Sequence, residues 1–159
     1  MGINIEKPDF DEPRDRDGFR VRRAGVGRQA GAVKLGATVW EVPPGEAAYP
    51  YHFHLAEEEM AVVLTGTPTL RTPEGERELE QGEVVSFLRG EEGAHQILNR
   101  SAAPARFLAI STSDAPDIVV YPDSNKVACY DRRREGSGLR ELHFRANAVD
   151  YWDGESPPG

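Results

Sequence analysis

The sequence predicts an all-β protein built as a sandwich or a barrel. Between residues 37 and 121, the apolar residues fall into short runs rich in Val, Leu, Phe and Thr. Turn residues such as Pro43-Pro44-Gly45 and Pro73-Glu74-Gly75 separate these runs at short intervals. No stretch of this region repeats apolar residues at helical spacing, and short strands separated by turns are typical of all-β folds.

Eight runs are the predicted strands of this region. They are ATVWEV (37–42), MAVVLT (60–65), TPTLRT (67–72), ERELE (76–80), EVVSF (83–87), HQILN (95–99), ARFLAIST (105–112) and DIVVY (117–121). Before them, FRVRRA (19–24) is a candidate strand, and beyond them SGLRELHFRA (137–146) allows a short helix.

The ends of the chain differ from its middle. Residues 1–18 hold many charges and few apolar groups, so we expect an N-terminal arm or a frayed tail. Residues 19–153 are predicted to form a single barrel domain. Its C-terminal segment includes DYWDGE (150–155), whose two large rings are expected to pack onto the barrel, and residues 154–159 are expected to form a loose tail.

Composition narrows the class of protein. The chain has 159 residues, of which 38% are hydrophobic and 29% charged, as in globular proteins with a core. The formal net charge of −8 argues against a nucleic-acid partner. The only basic run, Arg132–Arg134, lies between acidic residues and is interpreted as a solvated turn. No apolar run reaches the ~20 residues that cross a bilayer, and no signal-peptide stretch is visible, so we expect a cytoplasmic protein without a membrane partner.

The stretch YPYHFHLAEEEM (49–60) carries two of the four histidines. On a β-strand, side chains two residues apart point to the same face, so His52 and His54 should face the same way. Two imidazoles on one face can bind a metal ion if neighbouring strands add ligands. The alternative for the isolated pair is an ordinary place on an exposed strand.

The surrounding residues resemble the cupin superfamily, whose two motifs read G-x5-H-x-H-x3,4-E-x6-G and G-x5-P-x-G-x2-H-x3-N. Here the first runs from Gly45 to Gly66 as GEAAYPYHFHLAEEEMAVVLTG, and the second from Gly82 to Asn99 as GEVVSFLRGEEGAHQILN. Six residues separate Gly45 from His52, Leu88 replaces the proline, and four residues separate Gly90 from His95. These departures fall at turns, where loop length changes without reversing strand register.

The resemblance covers residues ~37–112. It implies a cupin-type double-stranded β-helix, a jelly-roll barrel, here with N- and C-terminal extensions. His52, His54, Glu59 and His95 fall on the four metal-ligand positions of the family. Nitrogen donors favour one divalent transition metal per chain, among Zn, Fe, Mn, Ni and Cu. Asn99 is interpreted as structural, and Glu57 could support the ligands if its strand begins early.

The resulting functional hypothesis is a metal-dependent enzyme that acts on a small polar molecule by oxygenase, isomerase or lyase chemistry. Its catalytic residues are unassigned. Tyr49, Tyr51 and Phe87 are candidates for the lining of the substrate pocket. The alternative is a non-catalytic metal-containing protein that binds or senses a small molecule. Family resemblance and the need to cover edge strands also predict a homodimer, to which the arm and FRVRRA could contribute.

Two C-terminal stretches add a second resemblance. YPDSNKV (121–127) and DYWDGE (150–155) are similar to segments of small bacterial single-domain cupins, which often carry names such as sugar-phosphate isomerase-like. A sugar phosphate would need cations in the pocket. Arg71, Arg89 and Lys126 are the candidates, with an ordinary surface charge as the alternative for each.

Overall fold

Short antiparallel strands are the main regular elements of the structure, a computed structural model that describes residues 2–114, 116–132 and 137–157. The described strands are β1 (Arg22–Ala24), β2 (Gly36–Val42), β3 (Phe53–His54), β4 (Glu59–Thr65), β5 (Thr69–Thr72), β6 (Gly75–Glu78), β7 (Val84–Phe87), β8 (Gln96–Leu98), β9 (Ala105–Ser111), β10 (Asp117–Tyr121), β11 (Lys126–Tyr130) and β12 (Arg140–Phe144). A helix, α1 (Val26–Gln29), follows β1, and 3-10 turns occupy Glu91–Gly93, Pro122–Ser124 and Arg145–Asn147.

The strands form three antiparallel sheets. The largest has the order β1-β2-β9-β4-β7, the second β12-β11-β10-β3, and the third β6-β5-β8. The seven-residue strand β2 pairs with β9 along its whole length, from Gly36 opposite Ser111 to Val42 opposite Ala105. This architecture confirms the predicted all-β class, and all eight predicted strands of residues 37–121 are present with small shifts of their ends.

The core lies between the sheets, on the inward faces of their strands. Along β4, Ala61 and Val63 are buried whereas Met60 is exposed, as the two-residue period of a strand requires. Phe107 of β9 is fully buried, and its ring lies 6.4 Å from that of Trp40 on β2. Burial of a side chain of this size stabilises the fold by about 1.5–3 kcal/mol, so this face of the barrel is a rigid support for the residues beside it.

Gly66 follows β4 in a turn whose backbone conformation and close packing both require glycine. Its φ is 78°, in the left-handed region that favours glycine. A Cβ atom there would also lie 2.9 Å from both Ala105 Cα and the Pro104 carbonyl oxygen. The glycine of the first motif therefore allows the turn after β4 to approach the start of β9.

The prediction of a helix in residues 137–146 is wrong. Residues 140–144 form β12, which pairs with β11 from Lys126 opposite Phe144 to Tyr130 opposite Arg140. Apolar Leu142 and Phe144 alternate with polar residues there, a period that suits a strand. In the described part of the chain, no helix is long and apolar enough to cross a membrane.

The two ends also differ from expectation. Ile3, Ile5 and Phe10 of the arm pack against a cluster that includes Val26 and Val39, so residues 2–18 are not a frayed tail. The rings of Tyr151 and Trp152 contact each other but are 82% and 71% exposed, so the prediction that they pack onto the barrel is wrong. The DYWDGE segment forms a turn stabilised by hydrogen bonds among its own acidic residues and backbone, which leaves its rings pointing outwards. Residues 158 and 159 of the tail lie outside the described residues.

Candidate metal centre

His52 and His54 point to the same face, as their spacing predicts. His54 ends β3 and pairs with Val119 of β10, while His52 precedes β3. Their Nε2 atoms lie 3.1 Å apart, and both side chains are buried. The sequence HFH (52–54) thus places the Phe53 side chain on one face and the two imidazoles together on the other.

His95 and Glu59 join this pair from other strands. His95 lies just before β8, and two reciprocal backbone hydrogen bonds link it to His52. Glu59 begins β4, and its Oε2 lies 3.3 Å from His54 Nε2, 3.4 Å from His95 Nε2 and 4.0 Å from His52 Nε2. The structure therefore brings together all four side chains at the predicted ligand positions.

The other ring nitrogen of each histidine has an acceptor. His52 Nδ1 lies 2.8 Å from the Pro50 carbonyl oxygen, and His95 Nδ1 lies 3.0 Å from that of Gly93. Because a carbonyl oxygen only accepts, each Nδ1 carries the proton and donates it. Each of these Nε2 atoms then presents a lone pair towards Glu59. The ligand atoms of His52, His54 and Glu59 lie close enough together to hold a divalent cation, and His95 Nε2 lies 3.4 Å from the same carboxylate oxygen.

Asp117 provides the acceptor for His54. This first residue of β10 is 1% exposed, its Oδ2 lies 2.6 Å from His54 Nδ1, and its Oδ1 accepts a hydrogen bond from Ala56 N at 3.1 Å. Sequence reasoning missed this residue because 63 positions separate it from His54. The only available signal was an acidic residue at the start of the apolar strand DIVVY.

Burial and hydrogen bonding shift the pKa values of these groups in opposite directions. Burial lowers the pKa of His95 to about 4 and that of His52 well below its usual value, with nearby imidazoles adding to the effect. Burial also opposes the charged form of His54, but Asp117 and Glu59 outweigh it and raise the pKa of this imidazole. Burial raises the pKa of Glu59. His52 and His95 therefore stay neutral, as metal-binding imidazoles must.

Three of the four side chains, those of His52, His54 and Glu59, form part of the wall of a cavity of about 820 Å³. Tyr49 lines the same cavity, with its ring edge-on to His52 at 5.0 Å and to His95 at 5.6 Å. Tyr121, from the YPDSNKV segment, stacks over His52 at 5.9 Å. The rest of that segment forms the turn between β10 and β11, with Asn125 in the left-handed conformation.

Two of the predicted pocket residues lie elsewhere. Phe87 stacks on His95 with a centroid distance of 3.6 Å, but it belongs to the core and does not line the cavity. Tyr51 is buried beneath the guanidinium of Arg71 at 4.2 Å, also outside the cavity wall. Packing in the core holds Phe87 away from the cavity, and Tyr51 packs against Arg71 instead.

The remaining sequence interpretations have clear outcomes. Asn99 is structural, as predicted: its amide donates to the Val42 and Ala103 carbonyl oxygens, both at 2.8 Å. Glu57 precedes β4, which begins at Glu59, yet it is buried and lines the cavity.

The three cations considered for a phosphate, Arg71, Arg89 and Lys126, do not line the cavity. Of the run Arg132–Arg134, described only at its first residue, Arg132 does line the cavity and is more than part of a solvated turn. Arg133 and Arg134 lie outside the described residues.

Comparison with known protein families and structures adds to this geometry. The family model of a cupin domain matches residues 38–111. No curated protein matches the sequence.

Several solved structures have a similar fold. A protein of Acidithiobacillus ferrooxidans with the provisional name sugar phosphate isomerase has a TM-score of 0.77 and 24% identity, covering 91% of this chain and 88% of that chain. A sugar phosphate isomerase from a cupin superfamily, of Silicibacter pomeroyi, has a TM-score of 0.77 and 21% identity, with 96% and 98% covered. A polyketide cyclase of Streptomyces resistomycificus has a TM-score of 0.60 and 24% identity, with 74% and 82% covered. At these identities the likeness shows the fold alone.

Proposed function

The chain belongs to the cupin superfamily, and on this premise we propose that it is a metal-dependent enzyme that acts on a small polar molecule inside the barrel. One divalent transition ion per chain, Zn, Fe, Mn, Ni or Cu, would be held by His52, His54, Glu59 and His95. Bound there, the ion would supply Lewis-acid or redox chemistry.

The observation that carries this proposal is the direction of the lone pairs. Carbonyl oxygens fix the protons of His52 and His95 on Nδ1, so the Nε2 atoms of these two residues face the Glu59 carboxylate without a proton of their own. Buried acceptors that face one another are unfavourable unless a cation or a donor lies between them. Three imidazoles and one carboxylate suit a borderline-soft transition metal better than Mg²⁺ or Ca²⁺.

The neighbouring residues suit chemistry on a small molecule. The rings of Tyr49 and Tyr121 flank His52 and limit the access of water to this end of the cavity. Asp117 keeps the proton on His54 Nδ1 and so holds the ring in one orientation. A cavity of about 820 Å³ admits a metabolite-sized ligand rather than a polymer.

Elemental analysis of protein purified without a chelating tag tests the metal. We expect about one transition ion per chain in the wild type and strong loss of metal from folded His54→Ala and Glu59→Ala. His143→Ala is the matched control, because this fourth histidine lies exposed on β12 and bonds to Glu141. Full metal content in the folded His54→Ala and Glu59→Ala proteins would show that the ligand assignment is wrong.

A metal-containing binding or sensor protein is the second candidate. Glu57, the cavity carboxylate nearest to the proposed ligands in sequence, is held in an ion pair with Arg132 at 3.4 Å, which favours binding over proton transfer. A screen of small acids, diols and sugar phosphates, run with each metal in air and under argon, separates the candidates. Turnover only with iron in air supports an oxygenase, and turnover under argon an isomerase or lyase. Tight binding without turnover supports the binding protein.

The protein is further proposed to be a homodimer. Strand β12 is the edge of its sheet, and its five residues are all exposed, including Leu142 and Phe144. Exposed edge strands with apolar side chains invite pairing with another copy. The arm packs on its own barrel and is not needed for the contact. Light scattering coupled to size exclusion decides the matter, since a mass near 17.6 kDa at micromolar concentration excludes the dimer.

A further inference from the structure

Arginines gather around the cavity that contains the proposed metal ligands. Arg14, Arg23, Arg132 and Arg140 all contribute to its wall. Such a cluster is unexpected in a chain with a formal net charge of −8. Arg14 belongs to the N-terminal arm, where a β-bridge to Val21 fixes its backbone.

Arg14 differs from Arg23 and Arg132 in its partners, and from the exposed Arg140 in being half-buried. Arg132 pairs with Glu57 at 3.4 Å, and Arg23 pairs with Asp11, also at 3.4 Å. Arg14 Nη1 donates only to the Ala48 carbonyl oxygen at 3.4 Å, and among the described residues no carboxylate lies within ion-pair distance of it. Its guanidinium is half-buried, 5.7 Å from the centre of the Trp40 ring.

The carboxylates of the cavity wall already have partners. Glu57 is paired with Arg132, and Glu59 faces the imidazoles. Asp131 accepts hydrogen bonds from the Ser137 backbone N at 2.7 Å and from its hydroxyl at 3.1 Å. Burial and the like charge of Arg23 lower the pKa of Arg14, in line with the lack of a carboxylate at ion-pair distance among the described residues.

A continuous aromatic surface connects Arg14 with the proposed metal site. The Trp40 ring below Arg14 lies 5.5 Å from Tyr49, and the Tyr49 ring lies 5.0 Å from His52. A ligand lying along these rings would have an anion-binding cation at one end and the imidazole cluster at the other. Arg offers a fork of N–H donors that matches carboxylate and phosphate oxygens.

We propose that the cavity binds a small organic anion, with its carboxylate or phosphate group on Arg14 and its polar end towards His52, His54, Glu59 and His95. This inference rests on the proposed function, because it assigns the class of substrate to the same cavity. It also replaces Arg71, Arg89 and Lys126 as the cations that receive the anion. Arg14 is a binding residue, and its arm completes the cavity wall.

Trp40 provides the readout, because the Arg14 guanidinium lies over its ring. The other of the two tryptophans, Trp152, is exposed outside the cavity, so Trp152→Phe leaves Trp40 as the single reporter. In this background, succinate and inorganic phosphate are titrated separately at constant ionic strength, with metal-free and zinc-loaded protein. We expect a saturable change in Trp40 fluorescence with one or both anions.

Variants of the arm test the role of Arg14. We expect Arg14→Gln to weaken binding of the effective anion about 10-fold or more, as for loss of a charge-assisted hydrogen bond. Arg14→Lys keeps the charge and should retain part of the affinity, which matters if the Gln variant is unstable. Arg16→Gln is the matched control, since Arg16 lies in the same arm but does not line the cavity. It should bind like the wild type.

The outcomes separate the two proposals. Anion binding that needs Arg14 in metal-free protein supports this inference, even if the wild type proves to contain no metal. Equal affinity in the Arg14→Gln and Arg16→Gln proteins, or a fluorescence change that never saturates, would overturn it. A preference for succinate or for phosphate identifies which anionic group the substrate carries.

Discussion

Replacing Asp117 by Asn should weaken metal binding without removing any proposed ligand. Both oxygens of this buried carboxylate are used, one 2.6 Å from His54 Nδ1 and the other 3.1 Å from Ala56 N. An amide has one acceptor oxygen and one NH₂ group, so Asp117→Asn cannot accept from both donors. Either His54 or the Ala56 N–H loses its partner and faces another donor.

We expect Asp117→Asn to lower both the stability of the fold and the affinity for the metal ion. Loss of a hydrogen bond to a charged group destabilises the fold by about 1.5–3 kcal/mol. For a chain of this size, each kcal/mol lowers the melting temperature by about 2–4 °C, so we expect a fall of about 3–12 °C. Without the carboxylate, His54 also loses its fixed tautomer and orientation. Loss of such a partner weakens metal affinity about 10- to 100-fold.

Competition against a chromophoric zinc chelator measures the affinity, and thermal unfolding followed by circular dichroism measures the stability. Asp123→Asn is the matched control, because this exposed carboxylate pairs with Arg71 away from the cavity. It should leave the zinc affinity unchanged and lower the stability by less than about 1 kcal/mol. If the folded Asp117→Asn protein binds zinc as tightly as the wild type, Asp117 does not orient His54 for metal binding.

Three further predictions test the surroundings of the site. Asn99→Ala removes two donors to buried carbonyl oxygens and should destabilise the fold by about 2–4 kcal/mol in chemical denaturation; an unchanged midpoint would contradict this. In Gly93→Ala, the added Cβ atom would overlap the Leu88 carbonyl, so the backbone at position 93 must move. This movement takes the carbonyl oxygen of residue 93 away from His95 Nδ1. Zinc affinity should fall, and retention of full affinity would show that the turn adapts. Arg71→Gln should lower stability by less than about 1 kcal/mol at pH 7. Arg71 lowers the pKa of Asp123, so the difference from wild type should vanish as the pH falls through that lowered value; a difference that persists in acid would exclude this cause.

The parts predictable from sequence are those that depend on local pattern. The two-residue period of a strand was enough to place His52 and His54 on one face, and the resemblance to the cupin motif indicated Glu59 as their neighbour. Turn residues marked the ends of the strands of the barrel, because the conformation of a turn depends on residues that are adjacent in the chain.

The parts that could not be predicted depend on contacts between distant segments. Asp117 meets His54 across 63 residues, and Arg14 reaches the cavity through an arm whose sequence suggests only a charged tail. Pairing with β11 stabilises β12 as a strand, whereas its residues taken alone do not decide between a helix and a strand. The rings of Tyr151 and Trp152 show the converse case, where hydrophobic character suggested burial but a local turn leaves them exposed.

The reciprocal backbone bonds between His52 and His95 have a consequence for how the protein would acquire the proposed ion. These bonds join the two halves of the site through the main chain, at 3.1 and 2.9 Å, and carbonyl oxygens orient both rings. In the folded structure, protein groups alone hold these two imidazoles in place. A folded cage takes its ion from the pool it encounters, and the natural order of affinities among divalent metals favours copper and zinc over iron and manganese. If the proposed site binds metal, cellular supply at the time of loading, more than the identity of the ligands, would decide which ion it holds.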